Sequence, residues 1–382
     1  MDFALTEEQQ LLRHSVERLF ADHYSFEQRK RYLQEAGGFS GALWRRYAEL
    51  GLLGLPFAEE HGGSAGGPVE TMIVMEEIGR ALALEPYLAT VVLAGGAIRL
   101  GGSAAMRAAV LPKIAGGDLI LAFAHSEPQS RYDLADVATK ARRDGTGFVL
   151  DGAKTLVLHG DSAGKFVVSA RLSGGQRDRD GLALFLLDAA AAGVSRRGYA
   201  TIDGMRAAEV TLAGVRVPAD AVIGTAGAAY PLIERVVDSA IAALSAEAVG
   251  AMAAMHEATV EYMKTRKQFG VTIGSFQALQ HRATDMFVAL EQGRSMAMLA
   301  TMMAAEDDAR ERRQAISAAK VQVGRSGRFV GQQAVQIHGG IGMTMEASIG
   351  HYFKRLTALD TLFGDADYHL GLVAEGGGLV AA

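Results

Sequence analysis

The segment Asp144–Lys154 reads DGTGFVLDGAK, and it decides how the rest of the chain is interpreted. Its apolar residues Phe148, Val149 and Leu150 favour a β-strand, and the glycines on either side of them favour turns. Short apolar runs of the same kind follow at 166–168, 182–187, 209–212 and 215–217. The sequence therefore predicts a middle domain of β-strands over residues 118–225.

The segments on both sides of this block have helical periodicity. Near the N-terminus, apolar residues from Leu11 to Phe20 recur at helical spacing, and Thr6 is placed to cap that helix. Toward the C-terminus, one long apolar face begins at Ile233, and the Met-rich stretch 286–303 predicts another long helix. We therefore expect an α+β fold: a helical domain at 1–117, a middle β-barrel or sandwich, and a C-terminal four-helix bundle at 226–382.

Composition excludes several classes of protein. The 382 residues include 38 basic and 43 acidic side chains, so the formal net charge is −5, which gives no reason to expect a nucleic-acid partner. Cysteine is absent, which excludes disulfides and a cysteine nucleophile. Met1–Glu8 does not read as a signal peptide, and no stretch reaches the ~20 apolar residues that span a bilayer. We expect a cytoplasmic protein that binds neither nucleic acid nor membrane.

Two short motifs suggest other functions, but their context excludes them. Gly62–Gly66 (GGSAG) matches the G-x-S-x-G nucleophile elbow, which follows a strand, and Phe57–His61 is not strand-like. Gly160–Lys165 is too short for a phosphate-binding loop, and Phe166 stands where a Ser or Thr is required. The ten histidines show no zinc-binding spacing, so no metal site is predicted.

Four segments together resemble the acyl-CoA dehydrogenase family, and the resemblance covers essentially the whole chain. They are Asp144–Lys154, Val215–Pro218 (VRVP), Arg266–Gly270 (RKQFG) with Ile273–Gln277 (IGSFQ) behind it, and Gln336–Gly342 (QIHGGIG). Their order and spacing on a helix–β–helix background carry the resemblance. The glycine loop Pro56–Pro68 is also similar to the family's, which explains the false serine motif.

The resemblance implies that FAD is the cofactor and that it lies at a dimer interface. The third and fourth segments would face the ADP half of a neighbouring subunit's FAD, where the Arg266 guanidinium suits a diphosphate. The residues implied for this contact are Arg266, Gln268, Phe269, Phe276, Gln277, Gln336, Ile337, Gly339 and Gly340. Those implied for the chain's own flavin are Phe123, His125, Ser126, Val157, Leu158 and His159.

The resemblance also implies a reaction and its partners. The reaction is α,β-dehydrogenation of an acyl-CoA thioester to the 2-enoyl-CoA. A carboxylate base in a dry pocket removes the α hydrogen, and the β hydride passes to the flavin. An electron-transfer flavoprotein would then accept the electrons, and the enzyme would be a dimer or tetramer.

Both positions at which the family keeps its base lack a carboxylate in this chain. The first, aligned on Gly364, is Phe363, and the second, aligned on Gly250, is Ala240 or Ile241. Neither apolar side chain can accept a proton, so no catalytic residue is assigned with confidence by the sequence.

The nearby carboxylates are poorly placed to replace that base. Asp238 points to nearly the opposite side of the helix from Ala240, at about 100° per residue. Glu247 shares the face of Ala240 but lies seven residues away, about 10 Å along the helix, and is a weak candidate. Asp365 and Asp367 are on the Phe363 segment but in a shifted register.

Other departures fall in the groups that would serve the chain's own flavin. Arg131-Tyr132 stands where the family has Gly-Ser in the flavin loop, and Leu156–Leu158 replaces a W-I-T segment. Lys354-Arg355 replaces an R-D pair and reverses a charge. The segments facing a neighbour's flavin are retained. This pattern resembles the small subunit of two-subunit family members of the pimeloyl-CoA dehydrogenase type.

Four hypotheses follow, in order of preference. The first is a subunit of a heteromeric FAD-dependent acyl-CoA dehydrogenase that needs a larger partner for the catalytic base. The second is a self-sufficient dehydrogenase, a homo-oligomer with Glu247 as an unconventional base. The third is a catalytically silent subunit that binds acyl-CoA or FAD, and the serine hydrolase is a distant fourth. The sequence does not indicate which acyl group is used.

Overall fold

The computed structural model describes residues 4–377, so part of the predicted N-terminal segment, Met1–Phe3, lies outside the described residues. Helices come first. They are α1 (Glu7–His23), α2 (Phe26–Tyr32), α3 (Gly41–Glu49), α4 (Pro68–Ala81), α5 (Gly96–Gly101) and α6 (Ala104–Ala115), with a π-helical segment, Leu88–Gly95, directly before α5.

Strands and a second set of helices follow. The strands are β1 (Leu121–Ala124), β2 (Lys140–Asp144), β3 (Gly147–Leu158), β4 (Lys165–Arg171), β5 (Leu182–Asp188), β6 (Val194–Ala200), β7 (Arg206–Pro218) and β8 (Val222–Gly227). The later elements are α7 (Tyr230–Thr265), a hairpin of β9 (Lys267–Gln268) and β10 (Val271–Thr272), α8 (Gln277–Met303), α9 (Ala309–His338), α10 (Ser348–Thr361) and α11 (Ala366–Glu375). The expected α+β class and the helix–β–helix order are confirmed.

The described chain groups into two compact units. One comprises residues 4–30, 68–83 and 241–377, and the other comprises Arg31–Gly67 and Leu84–Ala240. We call them the helical unit and the sheet unit. The expected three-part boundaries at 117 and 225 stay a prediction.

The sheet unit contains one eight-stranded mixed sheet. Its strand order is β6-β7-β3-β2-β4-β5-β8, and β1 pairs with β4 in parallel. Buried apolar side chains on the sheet form its core, among them Phe148, Leu150, Phe166 and Phe185. These residues belong to the apolar runs that predicted strands, because burial of alternate side chains is what stabilises a sheet.

The helical unit begins with α1, whose start matches the prediction. Thr6 caps it: the Thr6 hydroxyl accepts from the Gln9 N–H, and the Gln9 side chain accepts from the Thr6 N–H. Val16, Leu19 and Phe20 are buried as expected, but Leu11 is 66% exposed, so the buried face of α1 is narrower than its apolar pattern. Helix α7 is the one described helix long and apolar enough to cross a bilayer, and 94% of its most apolar window is buried inside the protein.

Candidate functional site

The residues implied for the chain's own flavin meet in the sheet unit, at the ends of β1 and β3. Phe123 is on β1, and Ser126 just beyond β1 accepts a hydrogen bond from the Thr155 N–H of β3 at 2.9 Å. His159, just beyond β3, donates its N–H to Arg206 O at 2.8 Å. Phe123, His125, Val157 and His159 are buried, and Ser126 and Leu158 are half-buried. The structure therefore brings all six together.

A buried ion pair holds this end of β1 in place. Lys154 Nζ, fully buried, lies 2.6 Å from Glu127 Oε1 and also donates to His125 O at 3.2 Å and Ser169 Oγ at 3.0 Å. Glu127 in turn accepts from the N–H groups of residues 138 and 139. Because every polar atom of the pair has a partner, the pair fixes the backbone on both sides of Ser126.

The charges in this cluster follow from its burial. Burial lowers the pKa of Lys154 to about 8, against the opposing effect of Glu127. Burial would raise the pKa of Glu127, but Lys154 and the hydrogen bonds outweigh it and set that pKa to about 2. Burial also lowers the pKa of His125 to about 3, so this imidazole is neutral near pH 7 and shares a 2.9 Å hydrogen bond with Ser169 Oγ. Lys154 and Glu127 are therefore both charged near pH 7.

Three non-glycine residues near this cluster have a left-handed backbone conformation. Arg131 has φ +45°, the left-handed conformation of the glycine it replaces, and this costs a non-glycine residue about 1–2 kcal/mol. Leu156 and His159 are also left-handed, at φ +49° and +50°. At Arg131-Tyr132, long side chains therefore stand where the family pattern has Gly-Ser.

In the helical unit, the hairpin between α7 and α8 holds Phe269 in a left-handed conformation with its ring exposed to solvent. Phe269 and Gly270 form its two-residue turn, with φ +52° and +80°, a turn type that favours Asn-Gly. The Phe269 ring is 92% exposed and touches Phe276 edge-on at 6.3 Å between centroids. An exposed aromatic ring on a strained backbone stabilises little within its own unit.

The remaining residues of the two retained segments lie between the end of α7 and the start of α8, and at the end of α9. The ends of α7 and α9 are in contact through Tyr262 and His338. These two rings stack at 4.3 Å. Arg266, Gln277 and Gln336 are exposed, and within residues 4–377 their side chains have no hydrogen-bond or ion-pair partner. Gln268 is exposed as well and donates to Lys267 O.

The Gly339-Gly340 backbone is open beside these side chains. A Cβ added at either glycine would meet no atom within 4 Å, although Gly339 also needs its φ of +62°. The side chain of Ile337 is buried in its own unit, so only its backbone is available to a ligand. An unpaired guanidinium, two free amides and an open glycine backbone fit a diphosphate.

The two base positions are apolar in the structure as well. Ala240 and Ile241 are fully buried in α7. Phe363 follows α10 in a left-handed conformation, φ +59°, and its carbonyl accepts from His369 Nε2 at 3.0 Å. Asp365 caps α11 by accepting from the Tyr368 N–H at 2.9 Å. The turn at the first base position is therefore held by two hydrogen bonds, but its side chain at that position is a phenyl ring.

Glu247 is engaged in a buried ion pair. Its Oε1 lies 2.6 Å from Arg355 Nε, and both side chains are almost completely buried. Glu247 Oε2 has no hydrogen-bond partner among the described residues. Arg355 stands where the family's R-D pair has its acid, so the acid on α7 compensates for this reversed charge.

Sequence motifs give no role to several buried or stacked residues that lie next to the candidate site residues. Lys154 and His338 are letters of the family-like segments, Glu127 lies in the flavin loop, and Tyr262 belongs to no motif. A lysine inside an apolar strand run is a detectable signal, since an unpaired buried lysine is rarely tolerated. Within residues 4–377, no group of three or more histidine or acidic side chains converges as a metal site would require.

Comparison with protein families matches three consecutive segments of the chain. The models described as "Acyl-CoA dehydrogenase, N-terminal domain", "middle domain" and "C-terminal domain" match residues 6–118, 122–215 and 230–378. Among curated proteins, acyl-CoA dehydrogenase FadE12 of Mycobacterium tuberculosis is 31% identical over 355 residues, which cover 91% of this chain and 90% of that protein.

Solved structures agree along the full length. The ChsE4-ChsE5 complex from Mycobacterium tuberculosis is similar at 27% identity with a TM-score of 0.89, covering 100% of both chains. The FAD complex of PigA is similar at 25% identity with a TM-score of 0.90, covering 98% of both chains. The shared fold therefore extends over nearly the whole chain.

Proposed function

The chain belongs to the acyl-CoA dehydrogenase family, and from this premise we propose that it is the small subunit of a heteromeric enzyme that takes its catalytic base from a larger partner. The observation that carries the proposal is the absence of a carboxylate at both base positions, Phe363 and Ala240 or Ile241. We propose further that this enzyme is of the pimeloyl-CoA dehydrogenase type.

The general activity of the family is FAD-dependent dehydrogenation of acyl-CoA thioesters. FAD, when bound, takes up the hydride that leaves the acyl β carbon. On this chain, Arg266, Gln277 and Gln336 would hold the diphosphate and ADP portion, with Phe269 beside it. These residues bind and orient the cofactor, and the proton-abstracting group comes from elsewhere in the assembly.

Two observations support a heteromer over a homo-oligomer. The chain's own flavin loop carries Arg131 in a glycine-like conformation, whereas the surface for a neighbour's cofactor is intact. The similar ChsE4-ChsE5 protein is, by its description, a complex of two different chains. A related larger subunit can replace one half of a two-fold interface without changing its geometry. An electron-transfer flavoprotein as electron acceptor belongs to the same proposal.

One observation favours the second hypothesis, a self-sufficient enzyme with Glu247 as its base. Glu247 is a carboxylate with one oxygen, Oε2, buried and without a partner among the described residues. Its other oxygen is occupied by Arg355, however, and its register is about two helical turns from the family position. We therefore expect a structural role for Glu247.

Glu247→Gln is expected to lower the steady-state rate of the co-purified complex by less than about tenfold, because the amide still accepts from Arg355 Nε. A true general base contributes roughly 10²–10⁴-fold. Arg355→Gln is the matched control, since it breaks the same pair from the other side. A loss of several orders of magnitude in Glu247→Gln alone, with FAD still bound, would make Glu247 the base.

Arg266→Ala is expected to weaken FAD retention although Arg266 lies far along the chain from the flavin loop. A charge-assisted contact of this kind contributes roughly 1.5–3 kcal/mol, or about tenfold or more in affinity. FAD per complex after extensive dialysis measures the effect. Arg45→Ala on α3 is the control, since Arg45 is also exposed and has no side-chain partner among the described residues. Equal FAD content in both variants would reject this role.

Phe269→Asn is expected to change stability and cofactor binding in opposite directions. Asparagine tolerates positive φ, so the isolated chain should become more stable by about 1 kcal/mol. FAD retention by the complex should fall because the exposed ring is lost. Phe287→Asn on α8 is the control, since Phe287 is 50% exposed in ordinary helical backbone. If Phe269→Asn destabilises the isolated chain, the ring stabilises its own unit instead.

A further inference from the structure

The ends of α7 and α9 must be held at a fixed separation if Arg266 and the Gln336–Gly340 segment are to bind one diphosphate. Helix α9 has 30 residues and is about 45 Å long at 1.5 Å per residue. A tilt of only about 5° at one end would move the other end by about 4 Å over that length. Charge-assisted hydrogen bonds need donor–acceptor distances of about 2.7–2.9 Å, so such a displacement would abolish binding.

His338, the last residue of α9, lies where it can fix the separation between the ends of α7 and α9. Its ring stacks on Tyr262 at 4.3 Å between centroids, with an interplanar angle of 20°. Its Nδ1–H donates to Ala334 O at 2.9 Å within the same helix, which fixes the plane of the ring. Burial lowers the pKa of His338, so the imidazole is neutral near pH 7. A neutral ring held at one edge and packed on one face has a defined orientation.

The two rings lie directly beside the ligand-binding residues. Arg266 N–H donates to Tyr262 O at 2.8 Å, and Arg266 O accepts from the Ile273 N–H at 2.8 Å, so the start of the hairpin is fixed to Tyr262. His338 comes between Gln336 and Gly339. The loop after α9 folds back on His338, since a Cβ added at Gly342 would lie 3.0 Å from His338 Cβ.

We infer that Tyr262 and His338 are a pair of positioning residues, whose stacked rings align Arg266 with the Gln336–Gly340 backbone to form one diphosphate site for a neighbouring subunit's FAD. This inference rests on the proposed function. The pair itself does not touch the cofactor. It acts through the backbone positions of the residues that do.

The experiment measures FAD loss during dialysis, and the melting temperature, of the co-purified holo-complex with four variants. His338→Ala removes the stack and should release FAD at least about fivefold faster. His338→Phe keeps a stacking ring and should stay within about twofold of wild type. Tyr262→Leu removes the stack from the other side and should behave like His338→Ala, so the test survives if one variant fails to assemble. Arg266→Ala reports whether the diphosphate site exists at all.

The pattern of the variants separates the possible failures. FAD retention by His338→Phe would indicate positioning by the stacked ring. This variant loses the hydrogen bond to Ala334 O but keeps a ring that can stack on Tyr262. If Arg266→Ala releases FAD but His338→Ala and Tyr262→Leu retain it, the positioning pair is wrong and the proposed function stands. If none of the variants releases FAD, the binding surface and the inference fail together. If His338→Phe releases FAD as fast as His338→Ala, stacking is not the cause.

Discussion

Gly250→Ala is expected to lower the free energy of unfolding of this chain by about 3 kcal/mol or more. Helices α4 and α7 cross backbone to backbone inside the helical unit. A Cβ added at Gly250 would lie 1.8 Å from Glu76 O, and one added at Gly79 would lie 1.9 Å from Glu247 O. Overpacking a core typically costs about 1–3 kcal/mol, and here the obstacle is backbone that cannot rotate away.

Urea unfolding of Gly250→Ala beside Gly371→Ala gives the test. Gly371 lies inside α11 with no atom within 4 Å of an added Cβ, so alanine there should be neutral or stabilise by up to about 1 kcal/mol. The same chemical change should thus have opposite effects at the two positions. Equal stability of the two variants would mean that α4 and α7 do not cross at this distance.

The isolated chain is expected to dehydrogenate acyl-CoA at least about 100-fold more slowly than the complex with its larger subunit. The reason is chemical: no carboxylate occupies either base position, and a general base contributes roughly 10²–10⁴-fold. Phe363 sits in a turn held by His369, and Ala240 and Ile241 are buried in α7, so neither base position presents a proton acceptor. The expected deficit should persist at saturating FAD.

Sequence periodicity predicted the elements whose stability comes from burial, and it missed those that depend on pairing. The runs at 166–168 and 182–187 became β4 and β5 because their side chains are buried. Strand β6 reads VSRRGYA and is mostly exposed, so it has no apolar signal and is defined by its pairing with β7. The runs at 209–212 and 215–217 were predicted as two strands but form one, β7, because β3 pairs along its length with register shifts.

In the candidate site, too, some residues are predictable from the sequence, and others depend on contacts between distant parts of the chain. Linear motifs predict Arg266 and Gln336 as site residues because they belong to the segments that resemble the family, and the structure leaves both side chains exposed. The partner of Glu247 could not be predicted, because Arg355 is 108 positions away and only the packing of α7 against α10 brings them together. The positive φ values of Arg131, Phe269 and Phe363 were equally inaccessible, since nothing in a side-chain pattern reports a left-handed backbone at a non-glycine residue.

The most direct test is the rate of dye reduction per bound FAD, measured for the isolated chain and for the chain co-purified with a co-expressed larger subunit of the same family. Both should be assayed at saturating FAD across a panel of aliphatic, dicarboxylic, aromatic and steroid side-chain acyl-CoA thioesters. The account predicts turnover by the complex with at least one thioester and almost none by the isolated chain. Robust turnover by the isolated, FAD-loaded chain would contradict it.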